Sequence, residues 1–228
     1  MKKTTILLDA GGVLLNEENY EKIAARVIVK LLKAEIGSYT EEDYWRDIKE
    51  SIERFCPRTI LYVLWKHAKP NTSRFDTFLA EYRRLIAIDR PSLKLYDSIK
   101  TEIPKLSGKF SLVLAGQYGH EVYDLIETNG LSGHFANRLS QDDFDITKPD
   151  PRYFVQIAER SGVKCEECIM VGDRIDNDII PAKQSNMGTV FVRTGIYKSQ
   201  RPRIPEEVPD IILDGLNGLA DKIIEKWY

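Results

Sequence analysis

Thr4-Thr5-Ile6-Leu7-Leu8-Asp9-Ala10-Gly11-Gly12-Val13-Leu14 is the stretch on which the fold of this chain turns. Thr4 to Asp9 read as a short buried strand, an apolar run stopped by an acidic residue and two glycines. Behind it the periodicity changes. From about Glu18 to Ile88 apolar residues recur at helical spacing, with Tyr20, Ile23, Val27 and Leu31 on one face and Gly37 as the stop. Thr40-Glu41-Glu42-Asp43 resembles a capping box ahead of the stripe Tyr44, Ile48, Ile52 and Phe55. Pro57 introduces a third helix around Ile60–Trp65, and Phe75, Phe78, Leu79, Tyr82, Leu85 and Ile86 mark a fourth. Four helices with short connections predict a small bundle.

After Arg90-Pro91 helices and strands alternate. Helices are expected over Leu93–Ile103, Glu121–Asn129, Tyr153–Ser161, Asp178–Ser185 and a last segment ending at Trp227. Strands are expected at Phe110–Ala115, Ala136–Leu139, Cys168–Val171, Thr189–Val192 and Ile211–Leu213. Such alternation implies a parallel sheet covered on both faces. The strand at 4–9 belongs to that sheet. The helical bundle, residues 17–89, is therefore an insertion in an α/β core built from 1–16 and 90–228.

Composition narrows the function. Apolar content of 43% and charged content of 30% suit an ordinary folded protein. A net charge of −2 without any Lys/Arg block implies neither nucleic acid nor an anionic membrane as partner. No apolar run reaches the roughly 18 residues of a membrane span, and the N-terminal run is too short for a signal peptide. A cytoplasmic location is expected. Cys165-Glu166-Glu167-Cys168 has the spacing of half a zinc site, but no second Cys/His pair lies near it. It reads as a turn with incidental thiols.

In parallel sheets the ligand sits beyond the carboxyl ends of the strands. Those ends carry Asp9-Ala10-Gly11-Gly12, Ala115-Gly116-Gln117, the loop Thr147-Lys148-Pro149-Asp150-Pro151, and Gly172-Asp173-Arg174-Ile175-Asp176-Asn177-Asp178. Each alone has a plainer reading, as a turn or a helix cap. Together they place separated carboxylates and one lysine at a single sheet edge. Carboxylates suit Mg²⁺, and a neighbouring lysine offsets the charge of an anionic nucleophile meeting a phosphoryl group.

These four segments resemble the four motifs of the haloacid dehalogenase (HAD) superfamily, and the inserted helices are similar to its C1-type cap of subfamily I. The resemblance spans essentially the whole chain. It implies a Rossmann-like core and a Mg²⁺-dependent phosphatase acting through a phospho-aspartyl enzyme on a small phosphorylated substrate. Asp9 would be the nucleophile and a metal ligand, joined by the Gly11 carbonyl and by Asp173. Asp178 would be a further acidic partner of the metal, and Asp176 a helix cap. Lys148 would neutralise Asp9 and the phosphoryl group. Backbone N–H groups of Ala10 and Gly116, with Gln117, would bind phosphate.

Two positions depart from the pattern. The family's phosphatases carry an Asp two residues after the nucleophile, as general acid and base, and here that position is Gly11. Such a group contributes about 10²–10⁴-fold. The second motif's usual hydroxyl is Ala115. The expected result is a bias toward leaving groups that need little protonation, with slow hydrolysis of phospho-Asp9. Glu17, Gln117 and His120 are candidate substitutes, His120 having the plainer reading of a solvated residue at a helix start. A binding domain without turnover and a metal-independent 2-haloacid dehalogenase remain as alternatives. Trp45, Tyr62, Trp65, His67 and Arg74 are open as substrate contacts or as bundle core, and monomer and homodimer are both open.

Overall fold

The computed structural model describes residues 2–89 and 92–228, so the boundary at Arg90-Pro91 lies outside the described residues. Two compact units emerge: Met1–Asn16 with Leu93–Tyr228, and Glu17–Ser92.

In the first unit, β1 (Thr5–Leu8), β2 (Ser111–Leu114), β3 (Cys168–Gly172), β4 (Gly188–Val192) and β5 (Ile211–Leu213) form a parallel sheet in the order β2-β1-β3-β4-β5. The pleat sends alternate side chains to opposite faces. Ile6, Leu8, Leu112, Leu114, Ile169 and Val171 share one core with α5 (Ile99–Ser107), α6 (Glu121–Thr128) and α9 (Leu219–Trp227). Leu7, Val113, Cys168 and Met170 share the other with α7 (Pro151–Arg160) and α8 (Ile180–Gln184). Both faces are covered, so the strands carry continuous apolar runs rather than alternating ones. The order reverses at β1, whose neighbours β2 and β3 lie on opposite sides, and such a switch point opens a crevice at the strands' carboxyl ends.

Three of the elements expected in this unit need correction. Ala136–Leu139 is not a strand: Phe135 makes an isolated bridge to Leu112, and the chain then leaves the sheet. Tyr123 Oη takes up carbonyls there, donating to Leu139 O at 2.7 Å. The helix expected from Leu93 begins at Ile99, because Lys94–Tyr96 pair with the loop after β1 instead. Asn16 N donates to Lys94 O at 2.8 Å and Tyr96 N to Leu14 O at 2.9 Å. The helix expected from Asp178 is preceded by a wider π-type turn over Ile175–Ile179.

The second unit holds α1 (Glu18–Ile36), α2 (Glu41–Glu53), α3 (Thr59–Ala68) and α4 (Thr72–Ile88). Gly37 ends α1 at a φ of 83°, where a side chain would be strained. Thr40 and Asp43 close a reciprocal capping box at the start of α2. Phe55 lies past the end of α2 with a positive φ, so it is not part of that helix's stripe. Ile28, Leu32, Tyr44, Ile48, Val63 and Leu64 are buried within the bundle. Asp47, which the apolar periodicity does not mark, is buried among them. It accepts from Tyr39 Oη at 2.8 Å and Lys66 Nζ at 2.6 Å, and His67 Nε2 lies 2.7 Å away.

Burial opposes the charge on Asp47, but Lys66, His67 and Tyr39 outweigh it and hold its pKa below the usual range. A depressed folded pKa stabilises the fold above the unfolded value of about 3.9 and loses that contribution as pH falls through the folded one. Asp47→Asn is expected to lower stability by about 1–3 kcal/mol at neutral pH. The gap to the parent protein should narrow as urea denaturation is repeated from pH 6 down toward pH 3; a constant gap would contradict the ion-pair role.

Candidate active site

The loop after β1 is fastened before any chemistry is considered. Leu14 N and Leu15 N both donate to Ala10 O, at 3.0 and 2.8 Å, and Gly12 N donates to Leu15 O at 3.1 Å. Gly12 has a φ of 67°, and a Cβ there would collide with the carboxylate of Asp173. The glycine pair therefore does two things: it permits the turn and lets the first loop approach the one after β3. Gly116 plays the matching part after β2, where a Cβ would run into Ala10.

Lys148 stands in the loop before α7, which begins with Asp150 as N-cap and Pro151 in its first turn. Asp150 Oδ1 accepts from Arg152 N at 3.0 Å, and that cap fixes where the preceding residues leave the helix. The Lys148 side chain is fully buried, with Nζ 2.9 Å from Asp9 Oδ1 and 2.6 Å from Asp178 Oδ1. Asp178 Oδ2 accepts from Arg174 N at 3.1 Å, so both of its oxygens are engaged by protein groups. Asp9, Asp173 and Asp178 each bring a carboxylate oxygen within 4.8 Å of the others.

Burial disfavours the ammonium of Lys148, but Asp178 and Asp9 outweigh it and raise its pKa. For Asp178 burial is the larger influence, and with the nearby charge of Asp9 it pushes the pKa up in spite of Lys148. One buried ammonium is shared by two enclosed carboxylates, and the carboxylate of Asp173 lies beside them. The donor set has an excess of hard, anionic oxygens and so fits Mg²⁺, which takes one or two carboxylates and leaves positions for water and phosphate. Asp9 and Asp173 are the residues that would hold it, with the Gly11 carbonyl as the third protein donor.

Other expected residues fall in several places. Ala10 N donates to Asp9 Oδ1 at 2.7 Å. Gln117 Nε2 donates to Lys148 O at 3.1 Å, and its Oε1 accepts from Asn177 Nδ2 at 3.4 Å. Asp176 is not a helix cap. It pairs with Arg174 Nη2 at 2.5 Å and accepts from Gln200 Nε2 at 2.8 Å. His120 immediately precedes α6, its Nε2 3.2 Å from Ser140 Oγ and 4.0 Å from Asp143 Oδ2. Tyr153, which the sequence marks only as the start of a helix, is buried beside this cluster and donates from its hydroxyl to Gly116 O at 3.2 Å.

Glu17, Trp45, Tyr62, Trp65, His67 and Arg74 all belong to the helical unit. Trp45 Nε1 donates to Glu41 Oε1 at 3.1 Å, Tyr62 Oη to Glu50 Oε1 at 2.8 Å, and Trp65 packs edge-on to Phe75. Cys168 is a buried strand residue whose thiol burial pushes up to about 12, and its Sγ donates to Lys164 O at 3.4 Å. Among the described residues no helix is long and apolar enough to cross a membrane.

A family model described as haloacid dehalogenase-like hydrolase matches residues 3–186. The chain is 38% identical, over 228 residues, to a glyceraldehyde 3-phosphate phosphatase of Methanopyrus kandleri, covering 96% of this chain and 97% of that one. A haloacid dehalogenase-like protein from Agrobacterium tumefaciens superposes with a TM-score of 0.68 at 22% identity, over 98% of each chain. A HAD-hydrolase from Bacillus subtilis, solved bound to magnesium, gives a TM-score of 0.62 at 20% identity, over 98% of this chain and 99% of that one. With most of its length matched by the family model, the chain belongs to the haloacid dehalogenase-like hydrolases. Within that family it is an enzyme of the phosphatase-like kind.

Removing Lys148 leaves carboxylates enclosed without their cation. Lys148→Met is expected to cost about 3–5 kcal/mol in chemical denaturation. Adding Asp178→Asn should return part of that loss, and strict additivity of the two changes would count against the coupling.

Proposed function

We propose that the protein is a Mg²⁺-dependent phosphatase of small phosphorylated metabolites, working through a phospho-aspartyl intermediate at Asp9. The observation that carries this reading is the buried Lys148 bridging Asp9 and Asp178, beside Asp173. A domain that only bound a partner would have no use for enclosed carboxylates held by one lysine, which cost folding energy to keep.

In this reading an Asp9 oxygen attacks phosphorus, the bond from phosphorus to the ester oxygen breaks, and the alkoxide leaves. Lys148 offsets the charge that Asp9 and the phosphoryl oxygens bring together. The bound Mg²⁺ would supply further positive charge on the same oxygens. Backbone N–H groups of Ala10 and Gly116 hold the transferred group, Ala10 N being released by Asp9 Oδ1 as that oxygen engages. Water then attacks phosphorus, inorganic phosphate departs, and Asp9 regains its carboxylate. Gly11 offers no side chain to protonate the alkoxide, so that proton comes from water.

The relative from Methanopyrus kandleri, matched over nearly its full length, directs the first substrate trial to glyceraldehyde 3-phosphate. Its hydroxyl next to the leaving oxygen withdraws electrons, so this alkoxide needs protonation less than that of a plain alkyl phosphate. Phosphate release should require Mg²⁺, be abolished by EDTA and fall by at least about 10³-fold in Asp9→Asn. Activity unchanged by Asp9→Asn would end the phospho-aspartyl reading, and metal-free halide release from a 2-haloacid would promote the dehalogenase.

Leaving-group dependence gives a separate check. An aryl phosphate should be turned over faster than a simple alkyl phosphate, and Gly11→Asp should raise kcat on the alkyl substrate by about tenfold or more, toward what a general acid supplies. If Gly11→Asp leaves the ratio of the two rates unchanged, protonation of the leaving group is not what limits the parent enzyme.

A further inference from the structure

The family match ends at residue 186, yet residues beyond it reach back to the loops that carry the acidic site. Thr194, buried just past the carboxyl end of β4, donates from Oγ1 to Gly12 O at 2.5 Å across 182 residues of sequence. Gly195 follows with a φ of 51°, a conformation that turns the chain sharply after Thr194. A single helical turn at Ile196–Ser199 then delivers Gln200, which is also buried. Gln200 Oε1 accepts from Ile175 N at 2.7 Å, and its Nε2 donates to Asp176 Oδ1 at 2.8 Å. Between them the ring of Tyr197 lies 4.4 Å from the guanidinium of Arg174.

One seven-residue connection therefore holds both acidic loops, the one after β1 at Gly12 and the one after β3 at Arg174, Ile175 and Asp176. Its grip falls next to residues the proposed function needs. Gly12 N–H and the Gly11 carbonyl belong to one peptide plane, so the bond from Gly12 N to Leu15 O fixes that plane. Thr194 fixes the next carbonyl along. Asp173 directly precedes the Arg174–Asp176 turn that Tyr197 and Gln200 fasten.

The geometry points to Thr194–Gln200 as a positioning element for the metal site, with Thr194 setting the loop after β1 and Gln200 the loop after β3. It rests on the Mg²⁺-dependent reading above. Neither residue touches a reacting atom. Their effect is to hold Asp9, the Gly11 carbonyl and Asp173 in one arrangement before any ligand arrives. Groups that orient metal ligands in this way are typically worth about 10–100-fold in metal affinity.

The test is titration of the full-length protein with MgCl₂ in a calorimeter, without substrate. Thr194→Val keeps the shape and removes the donor, Thr194→Ser keeps the donor, and Gln200→Met removes both of its hydrogen bonds. Thr194→Val and Gln200→Met should each weaken Mg²⁺ binding by about 10–100-fold with the circular dichroism spectrum retained, while Thr194→Ser stays within about threefold of the parent. At saturating Mg²⁺ most of the kcat lost by Thr194→Val should return, a split that general destabilisation would not produce. Lys198→Ala, an exposed change in the same segment, should bind Mg²⁺ normally.

Normal Mg²⁺ affinity in Thr194→Val and Gln200→Met would overturn this inference and leave the proposed function standing. So would an equal weakening by Lys198→Ala, or loss of fold in both Thr194→Val and Gln200→Met. A parent protein that binds no Mg²⁺ would instead end both readings.

Discussion

The contact of the Lys148 ammonium with Asp9 and Asp178 is the constraint around which the α/β unit is arranged. All three side chains are taken almost wholly out of water, where an unpaired charge costs several kcal/mol. They come from three places in the sequence: the end of β1, the loop ahead of α7 and the turn after β3. The sheet must bring β1 and β3 side by side for the carboxylates to meet, and α7 must start where it does for the lysine to reach them. The main chain continues this registry past the strands, with Asp9 N donating to Val171 O at 2.9 Å and Ala115 N to Leu8 O at 2.8 Å. The site is thus a continuation of the sheet rather than a set of loops laid over it.

Room for the charges is made by leaving side chains out. A Cβ at Gly12 would strike Asp173, one at Gly172 would strike Asp178, and one at Gly116 would strike Ala10. Only at Gly12 is a left-handed backbone also required; at the other two the demand is for space. Close packing leaves little freedom for such clashes to relax, so these glycines fix how near the acidic groups stand. Nearness is what gathers the three carboxylates around the single ammonium of Lys148, an arrangement of the kind a divalent cation would fit.

The core strands and the clustering of Asp9, Lys148, Asp173 and Asp178 are legible because both follow from local signals in the chain. Buried apolar runs such as Thr5–Leu8 end at the residue where the sheet ends, so Asp9 and Asp173 announce themselves by position. What sequence reading missed depends on contacts between distant segments. Leu93–Tyr96 has helical composition, but pairing with Leu14–Asn16 holds it extended. Asp176 has the spacing of a cap, but Arg174 and Gln200 compete for its carboxylate. Asp47 interrupts a helical stripe as any surface acid might, and only the fold shows Tyr39, Lys66 and His67 converging on it. Thr194 carried no signal at all, because a lone threonine after a strand is unremarkable until its hydroxyl is seen at Gly12.

Gly11 bears on how such a site could tolerate the loss of a proton donor. An Asp at that position would add a further carboxylate to a cluster in which Lys148 is already outnumbered, and burial already pushes Asp178 above the usual carboxylate range. In the proposed reaction, without it the positive charge of Lys148 and of a bound Mg²⁺ would be divided among fewer oxygens, leaving more for the phosphoryl group. Electrostatic stabilisation is commonly the largest contribution to such reactions, whereas general acid catalysis adds a smaller factor that shrinks as the leaving group becomes less basic. A Gly at 11 is then least costly where the departing oxygen is already acidified by its neighbours. The chemistry of the substrate is then tied to a side chain the enzyme does not have.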